Sequence, residues 1–324
     1  MPVPAADFAH LTPDVVLQLV EQALGRRSSN LCRPLTSYIN RVYDIQMEAG
    51  DWVVAKFYRP GRWSTVALQD EQDFLVELAA AEVPVIAPLT CADGRTLCDE
   101  AGLRFALFPK KGGRPCDEPT EDEWRALGRL LARVHQVGAA RRPKDRIRIH
   151  PQYSLADHMD EILAHEFPHA GLRDQFEDVV DELVDLIEPL FEDVSLTRLH
   201  GDCHPANIIH RPGESFHLID FDDMAVGPPV QDLWMLLPGT VEQAALELEL
   251  LLEGYETFRV FDRETLRLVE PLRAMRFLHY MAWCARQKAD GGFARVAPDW
   301  GTAGFWRQEI ADLERQLQEI RDAL

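Results

Sequence analysis

The chain is 324 residues long, 46% hydrophobic and 27% charged, a balance that excludes a disordered chain and leaves room for a large core and two lobes. Its formal net charge of −20 argues against nucleic acid or an anionic membrane as partner, because binding phosphate takes basic surface. No run approaches the roughly 20 apolar residues of a membrane span, and the first residues carry neither the basic stretch nor the apolar run of a signal peptide, so a cytoplasmic location is expected.

Thr12-Pro13-Asp14 predicts a helix start: Thr as N-cap, Pro in the first turn, an acid at the positive end of the dipole. Val16, Leu17, Leu19, Val20 and Leu24 form its apolar face, and Gly25 stops it. Tyr38, Val42, Tyr43 and Ile45 read as strand, followed by an acidic turn over 48–51. Trp52-Val53-Val54-Ala55-Lys56-Phe57-Tyr58 is a second strand, ended by Pro60-Gly61. Residues 64–81 carry a helical pattern with Ser64 as cap. Further strands are expected over 84–88 and 103–108. The polar, Gly-rich stretch 109–114 reads as the connection between lobes, so the domains are drawn as 1–108, a hinge at 109–114, and 115–324. Beyond it, helix-period apolar residues run over 121–137, 154–165, 172–191, 241–258, 264–288 and 305–324. The order is a β-rich small lobe, a hinge and a helical large lobe, with a ligand cleft expected between the lobes.

Chemistry concentrates between His200 and Asp223: HGDCHPAN, then two short apolar runs, Ile208-Ile209 and 216–219, reading as a hairpin, then Asp220, Asp222 and Asp223. Asp202 can orient an attacking hydroxyl and take its proton. Asn207, five residues on, can offer an amide oxygen to a metal, and Asp220 is a hard oxygen ligand suited to Mg²⁺. Alone, a D-x-x-x-x-N reads as helix capping. With His200-Gly201 before it and the hairpin after it, it reads as a Mg²⁺-dependent phosphoryl-transfer site. His200, His204, His210 and Cys203 offer zinc donors, but structural zinc takes four ligands in recognisable pairs, and no second pair is present. His200 reads better as a residue that hydrogen-bonds the loop in place. The six cysteines form no C-x-x-C pair and suit reduced thiols.

Lys56 is charged in mid-strand, a costly place without a partner. Residues 64–81 supply one: Glu71 interrupts the stripe of Leu68, Leu75 and Leu78. The two oddities explain each other as an ion pair that would set the lysine on nucleotide phosphates. The competing reading is a surface lysine on an edge strand. There is no G-x-G-x-x-G. Residues 34–41 lie where a phosphate loop belongs, with Ser37 able to donate to phosphate, though an ordinary turn fits as well. Asp232 reads as a buried structural support.

HGDCHPAN followed by LIDFDD resembles the aminoglycoside phosphotransferase and choline kinase branch of the protein-kinase-like fold, which carries H-G-D-x-x-x-x-N and D-x-D. TSYINRVYDI, VAKFYRPGRW, AEVPVIAPL, GPPVQDLWMLL and EPLRAMRFLHYMAW are similar to a bacterial Ser/Thr protein kinase of that fold, over nearly the whole length. The resemblance implies an α+β, bilobal protein-kinase-like fold: a small β-rich N-lobe with one main helix and a larger, mainly helical C-lobe. It implies ATP as co-substrate, Mg²⁺ as cofactor, and protein substrates with Ser/Thr acceptors. Asp202 would be the catalytic base and Asn207 and Asp220 the Mg²⁺ ligands, with Asp220 also part of the catalytic set. Lys56 and Glu71 would position phosphate, Ser37 would touch ATP, and 105–109, with Phe108, would run along the adenine. A monomer is expected.

The residues alone do not separate a protein from a metabolite acceptor; the resemblance points to protein. A small-molecule kinase for an amino alcohol or aminoglycoside would suit the acidic chain, with the acids of 177–192 as a candidate lining. A nucleotide-binding pseudokinase is disfavoured, since Lys56, Glu71, Asp202, Asn207 and Asp220 are all present.

Overall fold

The computed structural model describes residues 8–100, 102–114, 116, 118–211, 216–288 and 293–324. Helix α1 (Pro13–Leu24) starts as its sequence predicts: Thr12 accepts a hydrogen bond from Val15 N, Pro13 opens the first turn, and Gly25 stops the helix at φ 63°. Then come β1 (Ser28–Leu35), β2 (Arg41–Met47), β3 (Trp52–Phe57), α2 (Thr65–Ala80), β4 (Leu97–Glu100) and β5 (Leu103–Pro109). The five strands form one antiparallel sheet in the order β1-β2-β3-β5-β4. One face packs on α1: Val16 and Val20 join Ile45, Val53, Ala55, Phe57, Phe105 and Leu107, and the Phe57 and Phe105 rings stack at 4.8 Å. The helix that carries Glu71 begins at Ser64, whose hydroxyl accepts from Ala67 N.

After β5 the chain is mainly helical: α3 (Glu121–Ala139), α4 (His158–Ala164) and α5 (Ala170–Ile187) precede β6 (Thr197–Leu199) and the hairpin strands β7 (Ile208–Ile209) and β8 (His217–Leu218). β9 (Ala225–Gly227) is followed by α6 (Val230–Trp234), α7 (Ala245–Tyr255), α8 (Val269–Gln287), α9 (Phe293–Val296) and α10 (Ala303–Ala323). None of the described helices is long and apolar enough to cross a membrane. The chain forms two compact units: residues 1–146, 200–224 and 246–260 in one, and 147–199, 225–245 and 261–324 in the other.

Several local expectations are corrected. Residues 84–88 are no strand; only Val85 makes a single bridge, to Leu218, because Pro84 and Pro88 have no N–H to extend a ladder. Tyr38 lies outside β2. The regular helix expected from 154 begins at His158, after a wider turn over Gln152–Asp157. The helix expected over 172–191 tightens to a 3₁₀ turn from Glu188, at Pro189. The helix expected from 241 starts at Ala245. β1, β4, β6, β9, α6 and α9 carry no expectation from the sequence.

In the first unit, α3 and α7 meet at glycines. A Cβ on Gly128 would stand 1.9 Å from Leu251 O, and one on Gly254 would stand 2.0 Å from Arg125 O. These are backbone atoms and cannot swing aside. Gly128→Ala will therefore destabilise the protein by about 3 kcal/mol, at the upper end for overpacking. The midpoint of urea unfolding measures it, against Gly112→Ala, where the added methyl meets nothing within 4 Å. Equal midpoints for the two variants would show that the helices can part without cost.

Candidate active site

Strand register places Lys56. Val42, Lys56 and Ala106 stand side by side across β2, β3 and β5, and Asp44, Val54 and Phe108 form the next row. The alternate residues, Ala55 among them, go into the core beneath α1. Lys56 thus emerges on the opposite face, beside the cluster of Tyr58, Leu68, Leu97 and Ala106 that Phe108 packs against.

There Lys56 Nζ has three carboxylates around it: Asp220 Oδ1 at 2.7 Å, Asp222 Oδ1 at 3.5 Å and Glu71 Oε1 at 3.6 Å. Glu71, 1% exposed, also accepts from the Tyr58 hydroxyl at 3.0 Å and from Arg146 Nη2 at 3.2 Å. The expected pair is present, yet neither member is exclusive to the other. Gln72 Nε2 donates to the Tyr58 hydroxyl at 2.7 Å, which orients the phenol toward Glu71.

Asp220 follows β8 and stands at φ 60°, ψ 65°, left-handed backbone that Asp tolerates better than most residues. A turn over Phe221–Asp223 carries the chain on. It aims Asp222 inward, where Arg62 and Asn40 bond it, and Asp223 at Arg62 Nη2, 2.6 Å away. Arg146 braces the turn from behind: Nη1 donates to Asp222 O at 2.6 Å, and Nε to Ala67 O of α2 at 2.8 Å.

The electrostatics follow. Burial alone would push the Lys56 ammonium down, but Asp220, Asp222 and Glu71 overcome it and hold its pKa well above the ordinary lysine value. Burial lifts the Glu71 carboxyl above its usual range, helped by Asp222 and opposed by Lys56 and Arg146. Asp222 is as buried, yet Lys56, Arg62 and Arg146 keep it below the usual carboxylate range. Lys56 is therefore a fixed cation, and Asp222 a fixed anion that locks the turn.

The 200–207 loop is tied to the same strand end. His200 Nε2 donates to Ile219 O at 2.8 Å while Nδ1 accepts from Asp202 N at 3.3 Å, which sets one tautomer. Ile219 N donates to Asn207 O at 3.0 Å. Asn207 Nδ2 donates to Asp202 O at 2.9 Å, so its Oδ1 turns the other way. The Asp202 carboxylate is 3.5 Å from His204 Nε2 and partly exposed. Asn207 Oδ1 and the second oxygen of the half-exposed Asp220 are hard donors without a hydrogen bond to a described residue. Their chemistry fits Mg²⁺.

The structure thus brings Lys56, Glu71 and Asp220 together and joins Asp202 and Asn207 to the residue before Asp220. Ser37 stands half-buried in the loop before β2 and hydrogen-bonds none of them. Asn40 anchors that loop instead, accepting from Arg59 N at 3.1 Å while donating to Asp222. Asn40, Arg62, Arg146 and the locking role of Asp222 are additions to the expected site. The D-x-D spacing signals only Asp222; the arginines' partners lie 75 to 161 residues away.

Comparison with known proteins gives the following. A model of the phosphotransferase enzyme family matches residues 32–269. The chain is 38% identical to stress response kinase A of Escherichia coli (strain K12), covering 98% of this chain and 96% of the relative. It is 37% identical, with the same coverage, to a protein of Salmonella typhimurium named serine/threonine protein kinase RdoA. Among solved structures, amicoumacin kinase hAmiN with AMP-PNP, Ca²⁺ and Ami aligns at TM-score 0.73 and 20% identity, over 95% of this chain and 93% of that one. A microcompartment-associated aminopropanol kinase aligns at TM-score 0.71 and 20% identity, over 95% and 98%. The antiparallel sheet with α2, followed by a largely helical remainder, is the fold these structures share.

Proposed function

Because the chain belongs to the phosphotransferase enzyme family, we propose that it is an ATP- and Mg²⁺-dependent kinase whose acceptors are Ser and Thr hydroxyls of proteins. The observation that carries this reading is Lys56, held between Glu71 on α2 and Asp220 after β8. The protein acceptor is supported by the serine/threonine protein kinase named at 37% identity over 98% of the chain.

In this reading Lys56 presents its ammonium to the nucleotide phosphates, and Glu71 fixes its position. Ser37 contributes from the loop before β2, and Phe108 lies along the base. Residues 109–114 act as the hinge between a small lobe over 1–108 and a large one over 115–324. Asn207 Oδ1 and Asp220 would hold Mg²⁺, which supplies positive charge to offset that developing on the transferred group. Asp202 accepts the proton of the attacking hydroxyl, and His200 holds the loop in register with Asp220.

Incubation with radiolabelled ATP and a cell extract tests the acceptor class. Label should appear on protein at Ser or Thr. Label on a small molecule alone would overturn the protein assignment, and no label would overturn the kinase reading. The small-molecule reading keeps one observation in its favour: the second unit contains a cavity of about 320 Å³ lined by Asp185, Glu188 and Glu192 with His150 and Phe191. Its chemistry suits an organic cation.

Two further results are expected. Asp220→Asn keeps the left-handed backbone and removes one charge, so it should weaken Mg²⁺-dependent ATP binding by on the order of tenfold and spare metal-free binding. Equal losses with and without Mg²⁺ would make Asp220 structural. Lys56→Ala and Glu71→Ala should each lower turnover, with a coupling of about 1–3 kcal/mol in the double-mutant cycle. Full additivity would dissolve the pair.

A further inference from the structure

Away from the ion cluster and the 200–207 loop, three donors of different chemistry meet within the first unit: the Cys116 thiol, the Glu123 carboxylate and the His210 imidazole. One donor atom from each lies within 4.8 Å of the other two. His210 Nε2 is 3.2 Å from Glu123 Oε1. All three residues are half-buried.

Each is placed by a separate backbone device. Glu123 is the third residue of α3 and closes its capping box, its Oε2 accepting from Thr120 N at 2.7 Å and from the Thr120 hydroxyl at 2.9 Å. That use leaves Oε1 for His210. His210 follows β7, and its backbone exchanges two hydrogen bonds with Arg114, at 2.9 and 3.0 Å. Arg114 stands two residues before Cys116, so the bridge delivers the thiol to the imidazole. Gly113 makes the approach close: a Cβ there would stand 1.9 Å from the Ile209 side chain.

The spacing suits one small ion. Donors held at about 2.0–2.3 Å from a tetrahedral metal stand roughly 3.3–3.6 Å apart. The Nε2–Oε1 distance of 3.2 Å falls just under that range, and the thiol lies within 4.8 Å of both. Sulfur, nitrogen and oxygen together select a borderline-soft cation, and three protein ligands leave a fourth position for water.

We propose that Cys116, Glu123 and His210 form a binding site for Zn²⁺ or a similar thiophilic divalent cation, separate from the hard oxygens of Asn207 and Asp220. A metal there ties the residues after 109–114 to the start of α3 and the end of β7. The site does not depend on the kinase reading.

Co²⁺ is the probe, added to chelator-stripped full-length protein in excess Mg²⁺. We expect a thiolate-to-cobalt charge-transfer band that saturates at about one equivalent, the stoichiometry of a single site, and that Zn²⁺ displaces. Cys116→Ser should abolish the band. His210→Gln and Glu123→Gln should weaken binding by on the order of 10- to 100-fold. Glu123→Gln retains a capping acceptor and so keeps α3 folded. Zn²⁺ should raise the Tm of the wild type and not that of Cys116→Ser. A wild type without the band overturns the proposal. So does a band that survives in Cys116→Ser, which would move the metal to another thiol. So does unchanged affinity in both His210→Gln and Glu123→Gln, which would leave a lone thiol.

Discussion

Asp202→Asn will lower phosphoryl transfer by about three orders of magnitude, within the range for loss of a general base, while nucleotide affinity stays within about twofold. The asymmetry follows from which atoms the substitution touches. Two hydrogen bonds that hold the loop, from Asp202 N to His200 Nδ1 and from Asn207 Nδ2 to Asp202 O, use the Asp202 backbone and survive. What changes is the carboxylate, which has His204 Nε2 3.5 Å away. Asparagine fills the same volume and accepts no proton. Single-turnover transfer and a nucleotide titration on the same preparation separate the two effects. Transfer within tenfold of wild type would remove Asp202 from the chemistry; an equal fall in nucleotide affinity would show a collapsed loop.

Arg146→Met will cost about 3–5 kcal/mol of stability, the scale for removing one partner from a buried ion pair. The Arg146 side chain is fully buried. Its guanidinium reaches Glu71, Ala67 O and Asp222 O, and it lies 4.5 Å over the Trp63 ring. Without it, Lys56 at 3.6 Å is the one cation left to Glu71 among the described residues. Arg146→Lys should recover little, because one ammonium cannot span acceptors that a planar fork serves together. Urea unfolding of both variants is the measurement. A loss under about 1 kcal/mol in Arg146→Met, the scale of a surface ion pair, would show that water replaces the guanidinium.

These two residues mark what the sequence could and could not reveal. Asp202 announces itself by local spacing. Glu71 and Lys56 do so by contrast, each a charge inside an apolar pattern, and both patterns are local. Arg146 lies in RRPKDRIR, where five of eight residues are basic. Nothing in that run says which arginine is buried, since its partners are on α2 and in the turn after β8. Arg62 has the same difficulty. Cap chemistry at Thr12 and Ser64 is legible because a cap is settled within four residues. The apolar run at 84–88 misleads because hydrophobicity fits a strand while its prolines forbid the ladder. The order of elements, a β-rich stretch and then helices, was legible even where single strands were not, and the resemblance carried by HGDCHPAN and LIDFDD implied the kinase-like fold.

β1 was silent for a reason that bears on how the molecules behave in concentrated solution. It is one of the two outer strands of the sheet, and most of its residues face solvent in no alternating pattern. An outer strand offers its backbone to any other chain that arrives extended, the first step toward aggregates. Here the register slips between Ser28 and Leu31, Asn30 turns left-handed at φ 63°, and Pro34 carries no N–H. Those irregularities spoil the straight, complete ladder that a second strand would need. A net charge of −20 adds mutual repulsion between molecules, which salt weakens. The features that hide β1 from a search for alternation are therefore the ones that keep neighbouring molecules apart.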